Sequence, residues 1–401
     1  MQFLLFVRRH ARPLAFGALH AFYSAPGQTF CIGLFIASIG GSLGLDPATI
    51  GALYLAGTMA SAGTLMFVGQ WIDHVRLVYF SAAVVVGLGL ACLIMASATG
   101  PFVLFLAFYA LRLTGQGLMT HVEATATARA FEAERGRALG ITALGAPLSE
   151  IVFPPLAVAG IAAFGWRPTY AMMGVIAILV LLPFTQWLLS GIRRAPPPRT
   201  SGQGAWRGLV AGLLILMRSR FVWAALPALA VLPFFSTAVM FHITAIAGAK
   251  GWPVALVAAS FPASAIANVV GLFASGHIID RISARKMFLW QSMPIIAAVA
   301  VLAAFSGEWT LPVAFALIGL GGGLSRPVIT AMWAELFGLS VLGTIRSAVA
   351  MYMVFVSALA PFVFGALLEA GLSVSAILGG FTVVGILCLL SPFYAERRGF
   401  A

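Results

Sequence analysis

The sequence predicts an all-α membrane protein of twelve transmembrane helices, arranged as two pseudo-symmetric six-helix bundles. Composition is the first ground. Of 401 residues, 61% are hydrophobic and 8% charged, against about 25% charged in a soluble domain. That leaves too little polar surface to cover the two or three soluble domains such a length would form. Second, the apolar residues fall in long blocks, many of about 20 residues, the span of a bilayer core. Third, the chain repeats. GQWIDHVR (69–76) returns 207 residues later as GHIIDRISARK (276–286), and ALRLTGQGL (110–118) returns at an offset of 206 as ALIGLGGGL (316–324). Residues 1–192 therefore form a first bundle, 193–220 a linker and 221–401 a second bundle.

The first six spans are expected at 13–43, 48–68, 77–97, 101–127, 138–163 and 168–190. Span one carries His20, Tyr23, Ser24 and Gln28. His20 with Ser24, and Ser24 with Gln28, are four residues apart and share a helix face. Pro26 and Gly27 make the helix irregular there. Span two ends in the first loop motif, 69–76. Span four holds Arg112 and Gln116, with His121 and Glu123 toward its inner end. Span five holds Glu150. The stretch from Arg193 to Arg220 follows, and its Pro, Gly and Ser content marks a linker. Its apolar segment Leu209–Met217 is too short to cross and is expected to lie at the interface.

The second six are expected at 221–247, 253–274, 287–305, 311–334, 347–368 and 373–394. His242 falls near the outer end of span seven, where a wet vestibule accounts for it. Span eight carries Asn268 and is followed by the second loop motif. Span ten contains GLGGGLSRP, with Arg326 deep inside it. Packing of small residues explains its glycines better than a dinucleotide turn, since no strand precedes them. Span eleven has no Lys or Arg and contributes Tyr352.

The net charge of +12 is explained by sidedness. With the N-terminus inside and the spans alternating, the inside receives 19 of the 23 basic residues. The outside receives only Arg167 and Lys250, and Arg112 and Arg326 stay within spans. This bias fixes both termini in the cytoplasm and removes the need for a nucleic-acid partner. Cys31, Cys92 and Cys388 are far apart, so neither a disulfide framework nor a metal site is expected. MQFLLFVRRHARP has no small-residue cleavage site, so no removable signal peptide is expected. No GxxxxGK[ST], HExxH, CxxC pair or nucleophile elbow occurs, so neither an enzyme nor a cofactor is expected.

The pattern G-x-x-x-D-(R)-x-x-x-R/K between spans two and three, echoed between eight and nine, resembles the signature of the major facilitator superfamily. Span count, duplication and the long linker extend the resemblance to the whole chain. It implies two bundles rocking about a central site, lined by spans one, four, seven and ten. It also implies a latch in each loop, in which the Gly lets helices pack closely and the Asp meets a basic group or a helix N-terminus. Gly69, Asp73 and Arg76 carry over in the first copy, with His74 where Arg is usual. Gly276, Asp280, Arg281 and Arg285 carry over in the second. PGQTFCIGLF (26–35), GQGLMTHVEATATARAFEAERGRALGI (115–141) and WAELFGLSVLGTIRSAVA (333–350) look like bacterial monocarboxylate and oxalate–formate carriers. The Arg and Asp that such carriers use in span eight are replaced here by Leu272 and Asn268, so an anion site must use other residues.

Charges within spans are functional candidates, since an Arg at a helix centre costs about 2.5–3.5 kcal/mol. Arg112 lies ~15 Å below the outer end of its helix, and Glu150 ~20 Å above the inner side. These depths nearly meet in a core of roughly 30 Å. An Arg112–Glu150 ion pair is expected, either permanent or opened by a proton or substrate. Arg326 aligns with Thr120, so the repeat does not supply it. Pro327 and three preceding glycines make its helix easy to bend. Substrate or counter-ion duty competes with snorkelling to the interface or pairing with Glu335. The expected substrate contacts are Arg112, Arg326, Gln116, His20, Tyr23, Gln28, Asn268 and Tyr352, with Glu150 and Glu123 as proton carriers.

The sequence therefore points to a secondary-active, proton-coupled carrier of a small polar or anionic, carboxylate-like solute. The expected setting is a bacterial inner membrane, and the expected partners are substrate, protons and lipid, with the chain acting as a monomer. The competing reading is a drug or amphiphile efflux antiporter on the same fold.

Overall fold

A computed structural model describes residues 2–190, 217–338 and 342–397, together with Leu214. The expected interfacial segment Leu209–Met217, with the linker around it, lies largely outside the described residues. The described regular structure is helical throughout. Twelve helical stretches among the described residues are long and apolar enough to cross a membrane: Ala11–Leu43, Pro47–Asp73, Leu77–Ala96, Pro101–Ala130, Arg135–Phe164 and Trp166–Ser190 in the first half, then Arg220–Phe241, Val254–Ile282, Ala284–Ala304, Thr310–Phe337, Ile345–Glu369 and Val374–Pro392. Each overlaps an expected span. Span seven ends early. It stops at Phe241, and a separate helix Ile243–Lys250 follows. His242 sits at the break, 1% exposed, with Nε2 bonded to the Pro361 carbonyl and its ring stacked on Phe364. Packing, not a wet vestibule, explains this histidine.

The chain divides into two compact units, Met1–Leu45 with Leu53–Thr200, and Asp46–Ala52 with Ser201–Ala401.

In the first unit, span one is interrupted where Pro26 and Gly27 stand, by a 3₁₀ turn over Ala25–Gly27. Span four changes to a π-helix over Arg112–Met119. The two irregular segments meet. A Cβ on Gly27 would lie 2.2 Å from the Leu111 carbonyl and 2.8 Å from the Gly115 Cα, so only glycine permits this approach. A further helix, Gln2–Arg9, precedes span one. Its Phe6 is buried against Phe131, at 5.6 Å between centroids, and beneath the Arg137 guanidinium at 4.5 Å.

In the second unit, spans eight and ten pack backbone to backbone. A Cβ on Gly319 would fall 2.0 Å from the Ser264 carbonyl, and one on Gly323 2.1 Å from that of Asn268. GLGGG is therefore a packing seam. Span ten is an uninterrupted α-helix through Pro327. At the start of span two, Asp46 accepts from the Thr49 N–H at 2.6 Å and the Thr49 hydroxyl at 2.7 Å. Glu369 accepts from the Ala48 N–H at 2.8 Å. A hydrogen bond with the Glu369 carboxyl, reinforced by Thr49, holds the Asp46 carboxyl down to about 2.

Candidate functional site

Arg112 opens the π segment of span four and is 5% exposed. Its Nη1 donates to the Gly27 carbonyl at 3.4 Å and to Thr29 Oγ1 at 3.3 Å. Both bonds are long, and hydrogen bonds weaken beyond about 3.2 Å. Thr29 Oγ1 and the Tyr54 hydroxyl share a bond of 2.7 Å. The Tyr54 ring lies under the guanidinium at 5.2 Å, a contact worth roughly 0.5–2 kcal/mol. The Arg112 Nε–H is buried and, among the described residues, has no partner. The same holds for Gln116 Oε1, one turn on. The surroundings thus only part-compensate the buried cation, and a buried charge is costly unless paired. The bonds of Arg112 run to span one, not to Glu150, so the expected ion pair is not formed. Glu150 lies half-buried on span five.

The irregular backbone explains how this cluster is built. The Pro26–Gly27 break ends one helix and lets Gln28 start the next with extended backbone. The Gly27 carbonyl is thereby left for a side chain to bond. The π segment sets Arg112 beside it. Thr29 and Tyr54 were not singled out by the sequence, because a lone hydroxyl in an apolar span has no spacing that marks it.

The remaining span-one candidates are already engaged. His20 is fully buried, with Nδ1 on the Phe16 carbonyl at 2.8 Å and Nε2 on Ser81 Oγ at 2.9 Å. Tyr23 donates to the Met173 carbonyl at 2.7 Å. Gln28 donates to Ser24 Oγ at 3.1 Å. Only Gln28 adjoins the Arg112 cluster through the chain. His20 and Tyr23 tie span one to spans three and six. Glu123 accepts a hydrogen bond from Thr142 at 2.5 Å and is half-buried.

The first loop motif forms a 3₁₀ turn over Gly69–Asp73. Arg129, from the end of span four, grips it through Nη1 to the Ile72 carbonyl at 3.0 Å and through an ion pair to Asp73. Arg76 instead lies over Tyr79 at 5.1 Å. His121 Nε2 bonds the Gly69 carbonyl at 3.0 Å. A cavity of about 310 Å³ opens beside this turn, lined by Leu65, Met66, Gly69, Asp73, His121 and Thr125 among others. Close packing does not explain either motif glycine. A Cβ on Gly69 would meet its neighbours at an ordinary 3.8 Å, and one on Gly276 would meet nothing within 4 Å.

The second motif is built differently. At the offset of 206, Glu335 occupies the place of Arg129. Its carboxylate accepts from the Ala284 N–H at 2.9 Å and the Arg285 N–H at 3.1 Å. It thereby caps span nine, after Ser283 takes a positive φ of 72°. Asp280 and Arg281 are exposed. Arg285 lies over Phe221 at 5.2 Å. Glu335 is therefore not the partner of Arg326, which is exposed on span ten and makes no bond among the described residues. Tyr352 donates to the Leu226 carbonyl at 2.9 Å. Asn268 is half-buried in the glycine seam, its Nδ2 close to Gly322.

Known proteins agree with this architecture. The nucleoside transporter NupG gives a TM-score of 0.75 at 14% identity, covering 96% of this chain and 98% of that one. A point mutant of NupG gives 0.77 at 12% identity, covering 97% and 99%. A bacterial homologue of the human lysosomal transporter Spinster, in an inward-facing and occupied conformation, gives 0.71 at 14% identity, covering 99% and 97%. At these identities the likeness is one of fold. No curated protein matches the sequence. The family model of the Major Facilitator Superfamily matches residues 19–300. With well over half of the chain matched, and with twelve helices among the described residues able to cross a membrane, the protein belongs to the Major Facilitator Superfamily as a multi-pass membrane transporter.

Proposed function

We propose that the protein is a secondary-active carrier of a small polar or anionic organic solute, carboxylate-like in its charged group, working by alternating access. The observation that carries this reading is Arg112. It is a buried guanidinium in a membrane span, held by two long hydrogen bonds and one aromatic ring, with its Nε–H unpartnered among the described residues. An anion bound there would complete the compensation that the protein leaves unfinished. Exposed Arg326 is a second cation for the same traffic. Protons drive the cycle in this reading, through Glu123 and Glu150. The turn gripped by Arg129 acts as a latch, stabilising the outward-facing state by closing the cytoplasmic side. The charge bias of the loops supports cytoplasmic termini in a bacterial inner membrane, and nothing in the reading requires more than a monomer.

The test is uptake into proteoliposomes of labelled carboxylates, amino acids, sugars and nucleosides, with and without an inward-acid pH gradient. Carboxylate uptake that the gradient stimulates, and that Arg112→Gln abolishes, supports the proposal. Uptake of a neutral nucleoside that Arg112→Gln leaves intact overturns it, and places the solute specificity nearer to that named for the NupG fold relative.

A further inference from the structure

We propose that Arg8, Arg9 and Arg12 form a binding site for the phosphate headgroups of anionic phospholipids, which fastens the N-terminal helix Gln2–Arg9 to the membrane surface. This stands apart from the reading of Arg112 and from what is carried. The helix precedes span one and is not needed to cross the bilayer. Its backbone runs into span one with helical hydrogen bonds. The His10 N–H donates to the Phe6 carbonyl at 3.0 Å, and the Leu14 N–H to the His10 carbonyl at 3.2 Å. Phe6, His10 and Leu14 are four residues apart and share one face. That face is spent on the protein. Phe6 and Leu14 are buried with Phe131 and Ala138, and the His10 ring meets the Phe131 ring edge-on at 5.2 Å. Leu5, Arg8, Arg9 and Arg12 recur at i, i+3, i+4 and i+7, which places them together on the opposite face. All four are exposed, and the three arginines form no ion pair among the described residues.

Arg12 sets the height of this face. Its guanidinium lies over the Trp187 ring at 5.0 Å, and Trp187 stacks on Phe184 at 5.6 Å. Both rings are about half exposed in the last turns of span six, where interfacial aromatics belong. Arg8 stands four residues from Arg12, ~6 Å along a helix. The headgroup layer outside the hydrocarbon core is of the same order, roughly 5–7 Å on each side. The three guanidiniums therefore reach across the layer that holds the lipid phosphates, and a guanidinium fork matches a phosphate. A soluble phosphate would leave Leu5 and the two rings in water. A bilayer covers them as it meets the charges.

The purified full chain in neutral detergent is titrated with phosphatidylglycerol, phosphatidylcholine and free glycerol phosphate, and the bound molecules are counted by native mass spectrometry. Phosphatidylglycerol is expected to bind more tightly than both others. Each arginine beside an anionic lipid contributes about fivefold, so Arg8→Gln with Arg9→Gln should weaken phosphatidylglycerol binding by roughly thirtyfold. Arg8→Lys with Arg9→Lys keeps both charges and should stay within about threefold of the unaltered chain. Lys286→Gln with Arg346→Gln removes two exposed charges of the second unit and should also cost less than about threefold. The melting curve of each variant reports folding, and the comparison of the three molecules on the unaltered chain decides even where a variant fails to fold. Equal affinity for the two lipids, equal affinity for free glycerol phosphate, or equal loss from the two glutamine pairs overturns the proposal.

Discussion

The glycine seam of the second unit makes a quantitative prediction from three neighbouring residues. In Gly319→Ala the new methyl would stand 2.0 Å from the Ser264 carbonyl oxygen, a backbone atom that no rotamer can move. Ordinary contact begins at 3.4 Å, so spans eight and ten must part by the difference, about 1.4 Å. Gly323→Ala repeats the clash against Asn268 at 2.1 Å. Gly321 lies on another face, where the nearest atom to a Cβ is a Leu232 methyl already at 3.4 Å. Two terms compete. Ala favours a helix over Gly by about 0.8–1 kcal/mol. Overpacking costs typically about 1–3 kcal/mol, and more where backbone must shift. Gly321→Ala should therefore be neutral or stabilising by up to about 1 kcal/mol. Gly319→Ala should be destabilising, and the two should differ by roughly 2 kcal/mol or more. Equilibrium unfolding of the purified protein in mixed micelles measures both. If the two substitutions shift the midpoint alike, the backbone contact between spans eight and ten is not what makes glycine necessary.

Four further outcomes follow from the site and its surroundings. Arg112→Lys should lose most uptake although it keeps the charge, because an ammonium cannot span both carboxylate oxygens; initial rates across substrate concentrations would show it. Glu335→Ala should destabilise the protein by about 1 kcal/mol through loss of the cap on span nine, whereas Asp280→Asn, at an exposed side chain, should stay within about 0.5 kcal/mol, both read by thermal unfolding. Asp46→Ala should cost about 1 kcal/mol. Since its carboxyl is held down to about 2, the wild-type advantage should be constant above the unstrained value of 3.8 and vanish as pH falls through about 2. A cysteine replacing Arg326 should react with a membrane-impermeant thiol reagent, because an exposed arginine facing lipid would cost about 2.5–3.5 kcal/mol at a helix centre; lack of labelling from both sides of the membrane would place it against lipid.

The twelve spans were legible because each needs only a run of about 20 apolar residues, a property of the local sequence. The break at Pro26–Gly27 was legible for the same reason, since it depends on two adjacent residues. The Arg112–Glu150 pair shows where this reach ends. Counting residues along two helices gives heights, and by that count these two groups nearly meet. A helix also has an azimuth, and sequence position fixes that only while the turn is regular. The π segment that begins at Arg112 changes the phase of the rest of span four, and nothing in RLTGQGLM announces it. Arg129 was missed as the basic group that Asp73 was expected to meet because 56 residues separate them and Arg129 reads as an ordinary loop charge.

The repeat gave its own kind of information, and its departures proved more useful than its matches. Gly115 and Gly117 align with Gly321 and Gly323 at the offset of 206, and in each half one of the two meets a neighbouring span's backbone closely, Gly115 in the first and Gly323 in the second. Outside the loop motifs the charges do not follow the repeat. Arg112 aligns with Ile318, Arg326 with Thr120, and Arg129 with Glu335. Close packing of spans is required in both halves, so duplication carries the small residues, although the tightest contact falls at a different member of the pair. A charge within a span costs the same in either half, so one present in a single copy needs a reason that the other half lacks. For Glu335 the structure gives that reason, the backbone N–H groups of Ala284 and Arg285. For Arg112 the partners found, two long bonds and one ring, fall short of offsetting a buried cation. Under the proposed function, the remainder is what a transported anion would supply on arrival and withdraw on release, and the incomplete solvation of Arg112 would then let binding be strong enough to capture and weak enough to let go.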